Sequence, residues 1–315
     1  MRKKKIRTAL LGAMLLSAVF LWGCGKEEAY IEAKDIADSF PIAAEPAGKN
    51  PQQASSDGPY AVIHTTAGDV TILLYPEQAP KAVENFIGLA KEGYYDGSSF
   101  YYAKRDELVQ GGRPAALDEY VMTEAAAKGE PAPEDAQERS FWGEAFEDEF
   151  DDGLHHYPGA VGMAGAVNGE NQNLSQFYFL VQDTKAEDER VIPANLYMNE
   201  LLRMRFEELN EKNKETRMSE EELQKFEDDL NAEIQSIGTE GIPAEYAKKY
   251  EPVLETYKNL GGAWSLDYKF TVFGQIVKGM NVAQAMTEVK VDAASRKPKK
   301  KILIESIEVL DELPE

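Results

Sequence analysis

The stretch Ala61-Val62-Ile63-His64-Thr65-Thr66, then Ala67-Gly68-Asp69, then Val70-Thr71-Ile72-Leu73-Leu74-Tyr75 sets two β-rich runs on either side of a Gly-Asp turn. β-Branched and aromatic side chains suit a pleated strand, so the spacing predicts a β-hairpin. Just downstream, Pro80 to Ala90 places Val83, Phe86, Ile87 and Ala90 on one helical face, with Gly93 ending the helix. Further short strands are predicted at Phe177–Val181, Thr271–Val277 and Ile302–Leu310. β sequence of this kind, with few helices, points to a closed barrel or a sandwich.

The style changes between about 185 and 262. Ser219 with Glu222 three residues on predicts a capping box. Leu223, Phe226, Leu230, Ile234 and Ile237 then follow at spacings of 3, 4, 4 and 3, the stripe of an amphipathic helix. Met198, Leu202, Phe206 and Leu209 predict a preceding helix. A third, interrupted near Pro252, carries Tyr246, Tyr250, Val253 and Tyr257 as core residues and stops at Gly261-Gly262. β sequence lies on both sides, so residues 185–262 read as a helical insertion in one β domain spanning 58–184 and 263–315.

The whole chain has 315 residues, 43% hydrophobic and 10% aromatic, enough for a sizeable core. Its formal charge of −22 excludes nucleic acid, since a phosphate-binding surface needs clustered Lys and Arg. The single cysteine excludes an intrachain disulfide and any multi-cysteine metal site. That residue, Cys24, follows a cationic start (Arg2, Lys3, Lys4, Lys5, Arg7) and an apolar run from Thr8 to Trp22. Residues 1–23 therefore read as an export signal. Leu21-Trp22-Gly23-Cys24 is similar to the lipobox of a bacterial lipoprotein, which implies lipid attachment at Cys24 and a place on the outer face of the cell membrane. A plain secretory signal or an uncleaved anchor is the alternative. Residues 24–57, rich in Ala, Glu, Pro, Gly and Ser, read as a flexible tether, with a short helix allowed at 30–40. As coil it would span on the order of 30 Å.

A run of motifs inside the β domain carries a specific resemblance. Ala79-Pro80-Lys81-Ala82-Val83-Glu84-Asn85-Phe86, Gly93-Tyr94-Tyr95-Asp96-Gly97, Val109-Gln110-Gly111-Gly112, Ser175-Gln176-Phe177-Tyr178-Phe179 and Thr271-Val272-Phe273-Gly274 stand in order along the chain. So ordered, the domain resembles a cyclophilin. The resemblance implies a mainly β fold, a closed eight-stranded antiparallel barrel with two capping helices, and a substrate groove on its outer face. It also implies peptidyl-prolyl cis-trans isomerase activity without a cofactor or metal. Rotation about an X-Pro amide breaks resonance against a barrier of roughly 18–20 kcal/mol. An enzyme needs only a dry pocket for the ring, donors for the flanking carbonyls, and a donor aimed at the nitrogen as it becomes basic.

The resemblance also assigns residues. Phe100-Tyr101-Tyr102-Ala103-Lys104-Arg105-Asp106-Glu107-Leu108-Val109-Gln110 matches the family's segment without gaps, so the usual catalytic arginine falls on Tyr102. Substrate-binding positions fall on Glu107, Leu108, Gln110, Gln176, Tyr178, Leu266 and Phe270. A tyrosine donates one hydrogen bond and carries no charge at pH 7, so a slower enzyme is expected. Arg105, three residues on, is the candidate substitute if its loop shifts. Two functions stay open: an isomerase of reduced activity acting on proline-containing segments of exported or cell-envelope proteins, and a non-catalytic proline-peptide-binding or chaperone lipoprotein. His64, His155 and His156 read as satisfied surface or turn histidines. Glu147 to Asp152 reads as a solvated acidic face, and Arg296 to Lys301 as charges guarding an edge strand.

Overall fold

The computed structural model describes residues 31–33, 58–121, 123–165, 171–185, 190–215 and 217–314. Cys24, the signal segment and nearly all of the tether lie outside these residues. The hairpin is present as β1 (Tyr60–Thr65) and β2 (Val70–Leu74), paired antiparallel with Ala61 opposite Ile72. Helix α1 (Pro80–Lys91) follows, with proline in its first turn, where a missing N–H costs nothing. Then come β3 (Tyr102–Lys104), β4 (Leu108–Gly111), short helices α2 (Ala115–Tyr120) and α3 (Glu124–Ala127), β5 (Ala160–Met163) and β6 (Phe177–Leu180). Helices α4 (Val191–Glu215), α5 (Glu220–Thr239) and α6 (Ala244–Leu260) precede β7 (Val272–Lys278), α7 (Met280–Glu288) and β8 (Ile304–Leu310).

All eight strands form one antiparallel sheet in the order β3-β4-β6-β5-β7-β2-β1-β8. Alternate residues Ala61 and Ile63, Ile72 and Leu74, Val161 and Met163, Phe177 and Phe179 share the inner core. Helix α1 covers it with Val83, Phe86 and Leu89, and α7 with Met280, Ala283 and Met286. Phe86 meets the edge of Phe177 at 5.4 Å between ring centres, a favourable quadrupolar geometry.

Full barrel closure is where the structure departs from expectation. β3 and β8 are the sheet's two edges and form no ladder together. β3 is only three residues long, and the Ala103 N–H on its outer side goes to the Arg296 carbonyl instead of to β8. Residues just ahead of the two edge strands bridge the seam: Gly97 N–H to the Ile304 carbonyl at 2.8 Å, Phe100 N–H to Ile302 at 2.9 Å, and Ile304 N–H back to Ser98 at 2.8 Å. The sheet is thus strongly curled, with a stitched seam.

Helices α4 to α6 lie between β6 and β7. Ser219 and Glu222 form the capping box at the start of α5. The interruption expected near Pro252 is absent: α6 runs through it from Ala244 to Leu260. It ends at Gly261, and Gly262 follows with φ of +133° where a Cβ would strike the His156 carbonyl, so the chain can return to the sheet only through glycine. Ile192 and Leu196 of α4 and Tyr250, Val253 and Tyr257 of α6 share a core with Tyr157 and Tyr268 from the sheet's loops.

Two further readings change. Ile31 is only 6% exposed and joins the inner core, and its N–H bonds the Lys301 carbonyl at 2.9 Å. The segment read as a free tether is therefore pinned at this residue, because an apolar side chain in a polar stretch finds the core. In the acidic run, Glu149 is not merely solvated. Its carboxylate accepts the Lys81 and Ala82 N–H groups at 3.0 and 2.9 Å, capping the positive end of α1.

Candidate active site

Register places the site. Tyr102 opposes Gln110, Gln110 opposes Tyr178, and Tyr178 opposes Gly162, so these four lie in one row on the outer face of the sheet. Lys104, Leu108 and Leu180 make the next row. Tyr178 lies across the sheet, and a Cβ at Gly162 would collide with its ring and hydroxyl. Leu108, Tyr178 and Leu180 form an outer apolar cluster with Ala160, Val272 and Ala164, joined from the β7 approach by Leu266 and Phe270. The Phe270 ring meets Tyr178 edge-on at 6.3 Å. Four expected residues, Leu108, Tyr178, Leu266 and Phe270, therefore come together in one apolar cluster on the outer face of the sheet.

Beside it lies a polar end. Gln110 Nε2 is 3.2 Å from Gln176 Oε1, and the Tyr101 hydroxyl lies between them, accepting from Gln110 and donating to Gln176. Gln176 Nε2 donates to Glu138 at 2.6 Å. Burial raises the Glu138 pKa, with the hydrogen bond from Gln176 only partly opposing it. The Arg113 guanidinium lies 3.7 Å from the centre of the Tyr101 ring, and its Nε bonds Asp118 at 2.6 Å.

Not every expected residue joins. Glu107 pairs with Lys104. Arg105 is exposed and pairs with Glu288 of α7 at 2.9 Å, so the structure does not bring it to the Gln110–Gln176 pair. Tyr102 is half-buried in the Gln110 row.

The groove's aromatic floor is held from below by a network the sequence reading missed. His155 and His156, read as surface or turn residues, are 3% and 1% exposed. Both close on buried Asp267: His155 Nδ1 at 2.8 Å, His156 Nδ1 at 2.7 Å, the His156 N–H at 2.8 Å and the Tyr257 hydroxyl at 2.7 Å. Their separation of more than one hundred residues hides this contact, and an acidic residue in an apolar flank was the only clue. His155 Nε2 also faces the Asp152 carbonyl at 3.0 Å, so both ring nitrogens meet acceptors, as an imidazolium requires. Burial works against the charge, but the Asp267 carboxylate outweighs it and raises the His155 pKa. Burial likewise opposes ionised Asp267, and the two histidines more than offset it, holding the carboxyl well below its usual range. His156 Nε2, at 2.7 Å, takes the hydroxyl of Tyr178. A chain of hydrogen bonds thus runs from Tyr257 of α6 through Asp267 and His156 to the groove.

The family described as cyclophilin type peptidyl-prolyl cis-trans isomerase/CLD matches residues 60–194 and 207–309. A Staphylococcus epidermidis protein named "putative peptidyl-prolyl cis-trans isomerase" is 33% identical over 248 residues, 79% of this chain and 90% of that one. A Streptococcus pyogenes protein named as a putative bifunctional phosphatase/peptidyl-prolyl cis-trans isomerase is 34% identical over 256 residues; the match takes in 81% of this chain but only 39% of that longer protein. A solved cyclophilin type isomerase of Cryptosporidium parvum is 18% identical with a TM-score of 0.46, covering 80% of this chain and 96% of its own. The chain belongs to the cyclophilin-type peptidyl-prolyl cis-trans isomerase family. That membership favours the isomerase over the non-catalytic binding module.

Proposed function

We propose that the protein isomerises X-Pro bonds in exported or cell-envelope proteins, at a reduced rate, from a lipid anchor on Cys24. The carrying observation is the meeting of an apolar floor (Leu108, Tyr178, Leu266, Phe270) with the Gln110–Gln176 pair on one face of the sheet. The floor takes the proline ring, and the glutamines offer donors to the flanking carbonyls. With tyrosine at position 102, the row lacks the charged donor that would best stabilise a developing lone pair. Among the described residues no helix is long and apolar enough to cross a membrane. Support for the anchor is the N-terminal sequence alone.

A protease-coupled assay on an Ala-Pro peptide tests the activity. Acceleration that scales with protein concentration supports it; a rate equal to the uncatalysed one at every concentration refutes it. For the anchor, Cys24→Ala should move the protein out of the membrane fraction or leave an unprocessed signal. A processed variant that still fractionates with membranes rules the anchor out.

A further inference from the structure

A β-bulge gives the polar end of the groove an unexpected occupant. Tyr102 is the register partner of Gln110, yet the Tyr101 N–H also bonds the Gln110 carbonyl, at 3.0 Å. Two residues of one strand therefore oppose one of the next. Simple alternation would send the Tyr101 ring to the face opposite Tyr102. The bulge instead swings it to the groove side, where its hydroxyl meets both glutamine side chains.

A cation sits on that ring. Arg113 is held over Tyr101 by the ion pair of its Nε with Asp118, and Asp118 is itself buried and fixed by Ser99 through both N–H and hydroxyl. Asp118 engages Nε alone, so Nη1 and Nη2 have no hydrogen-bond partner among the described residues. A guanidinium on an aromatic face draws electron density from the ring and strengthens the phenol as a donor. The hydroxyl can also be released cheaply. When it turns from Gln176 Oε1 to a substrate, that oxygen keeps the Gln110 N–H at 3.2 Å.

We propose that Tyr101, not Tyr102, is the group that donates to the substrate's prolyl nitrogen, and that Arg113 is its positioning and polarising partner. The pair supplies the missing charge indirectly: the hydroxyl makes the contact and the guanidinium raises its strength. This rests on the isomerase reading above.

The test measures kcat and KM on an Ala-Pro peptide for the parent, Tyr101→Phe, Tyr102→Phe, Arg113→Gln and Arg113→Lys, with folding checked by circular dichroism. Tyr101→Phe is expected to lower kcat roughly 100-fold with KM within about threefold, the low end for loss of one transition-state donor. Arg113→Gln should lower kcat about tenfold, and Arg113→Lys, which restores a cation above the ring, should recover part of that loss. Tyr102→Phe should lower kcat less than Tyr101→Phe does. An active parent whose kcat is untouched by Tyr101→Phe, or more damaged by Tyr102→Phe, overturns this assignment and leaves the isomerase reading standing. An inactive parent removes both. If Tyr101→Phe fails to fold, Arg113→Gln decides: an unchanged kcat rejects the pair, and a loss rescued by lysine supports it.

Discussion

The two ends of the groove rest on carboxylates, one buried and one half-buried, and they use them in opposite ways. Under the apolar end, Asp267 is ringed by four donors, with imidazole on two sides, and its ionised form is favoured. At the polar end, Glu138 has Gln176 and Ser175 as neutral partners, and its ionised form is disfavoured by burial. A buried charge is stabilising only when its surroundings replace what water gave it. The apolar end is therefore built as a rigid support, and the polar end as an exchangeable set of hydrogen bonds that a substrate can rearrange.

The contrast breaks most visibly at Asp267. Asp267→Ala takes the carboxylate acceptor from the buried Nδ1 of His155 and the buried Tyr257 hydroxyl, so it should cost about 3–5 kcal/mol in urea unfolding. A loss under about 1 kcal/mol would mean that the carboxylate does not support the floor.

The next effect isolates the helices. Tyr257→Phe removes one hydrogen bond to a buried charge and should cost about 1.5–3 kcal/mol. Unfolding should stay a single transition, since α6 and the sheet's loops share one core. Separate transitions for helices and sheet would contradict that sharing.

The smallest effect is on pH dependence. His155 has a folded-state pKa above its ordinary 6.5, so its contribution is full below pH 6.5 and is lost as pH rises through the folded value. Asp267, depressed from 3.8, contributes above pH 3.8 and loses that only as pH falls through its lower folded value. The apolar end is thus strongest between about pH 3.8 and 6.5. Glu138 behaves oppositely. Raised from 4.5, its ionised form carries a cost that acidification relieves. The melting temperature of the parent should fall between pH 6 and 9, and His155→Gln should flatten that fall. Parallel curves for the two proteins would assign the slope to other groups.

The sequence revealed what depends on neighbours along the chain. The hairpin, α1, the capping box at Ser219 and the glycine stop of α6 follow from local pattern, and the motifs put Leu108, Gln110, Gln176, Tyr178, Leu266 and Phe270 on one surface. What escaped depends on distant partners or on broken periodicity. Asp267 meets His155 and His156 across the fold, and Arg113 reaches Tyr101 only because Asp118 holds it there. Tyr101 was hidden for another reason: strict strand alternation assigns it to the wrong face, and only the bulge returns it to the groove. Pro252 misled in the other direction, since the tertiary packing of Tyr250, Val253 and Tyr257 carries α6 through it.

Ile31 sets a working height. With the lipid proposed on Cys24, the slack between membrane and folded body is not the whole of residues 24–57 but the seven steps from Cys24 to the residue buried in the core. Fully extended, seven residues reach roughly 25 Å. A compact domain of this size has a radius of gyration of roughly 18 Å. A sphere with that radius of gyration is roughly 46 Å across, so the leash would be shorter than the body it holds and would keep the groove within a thin shell above the lipid. Substrates would then be met close to the membrane surface.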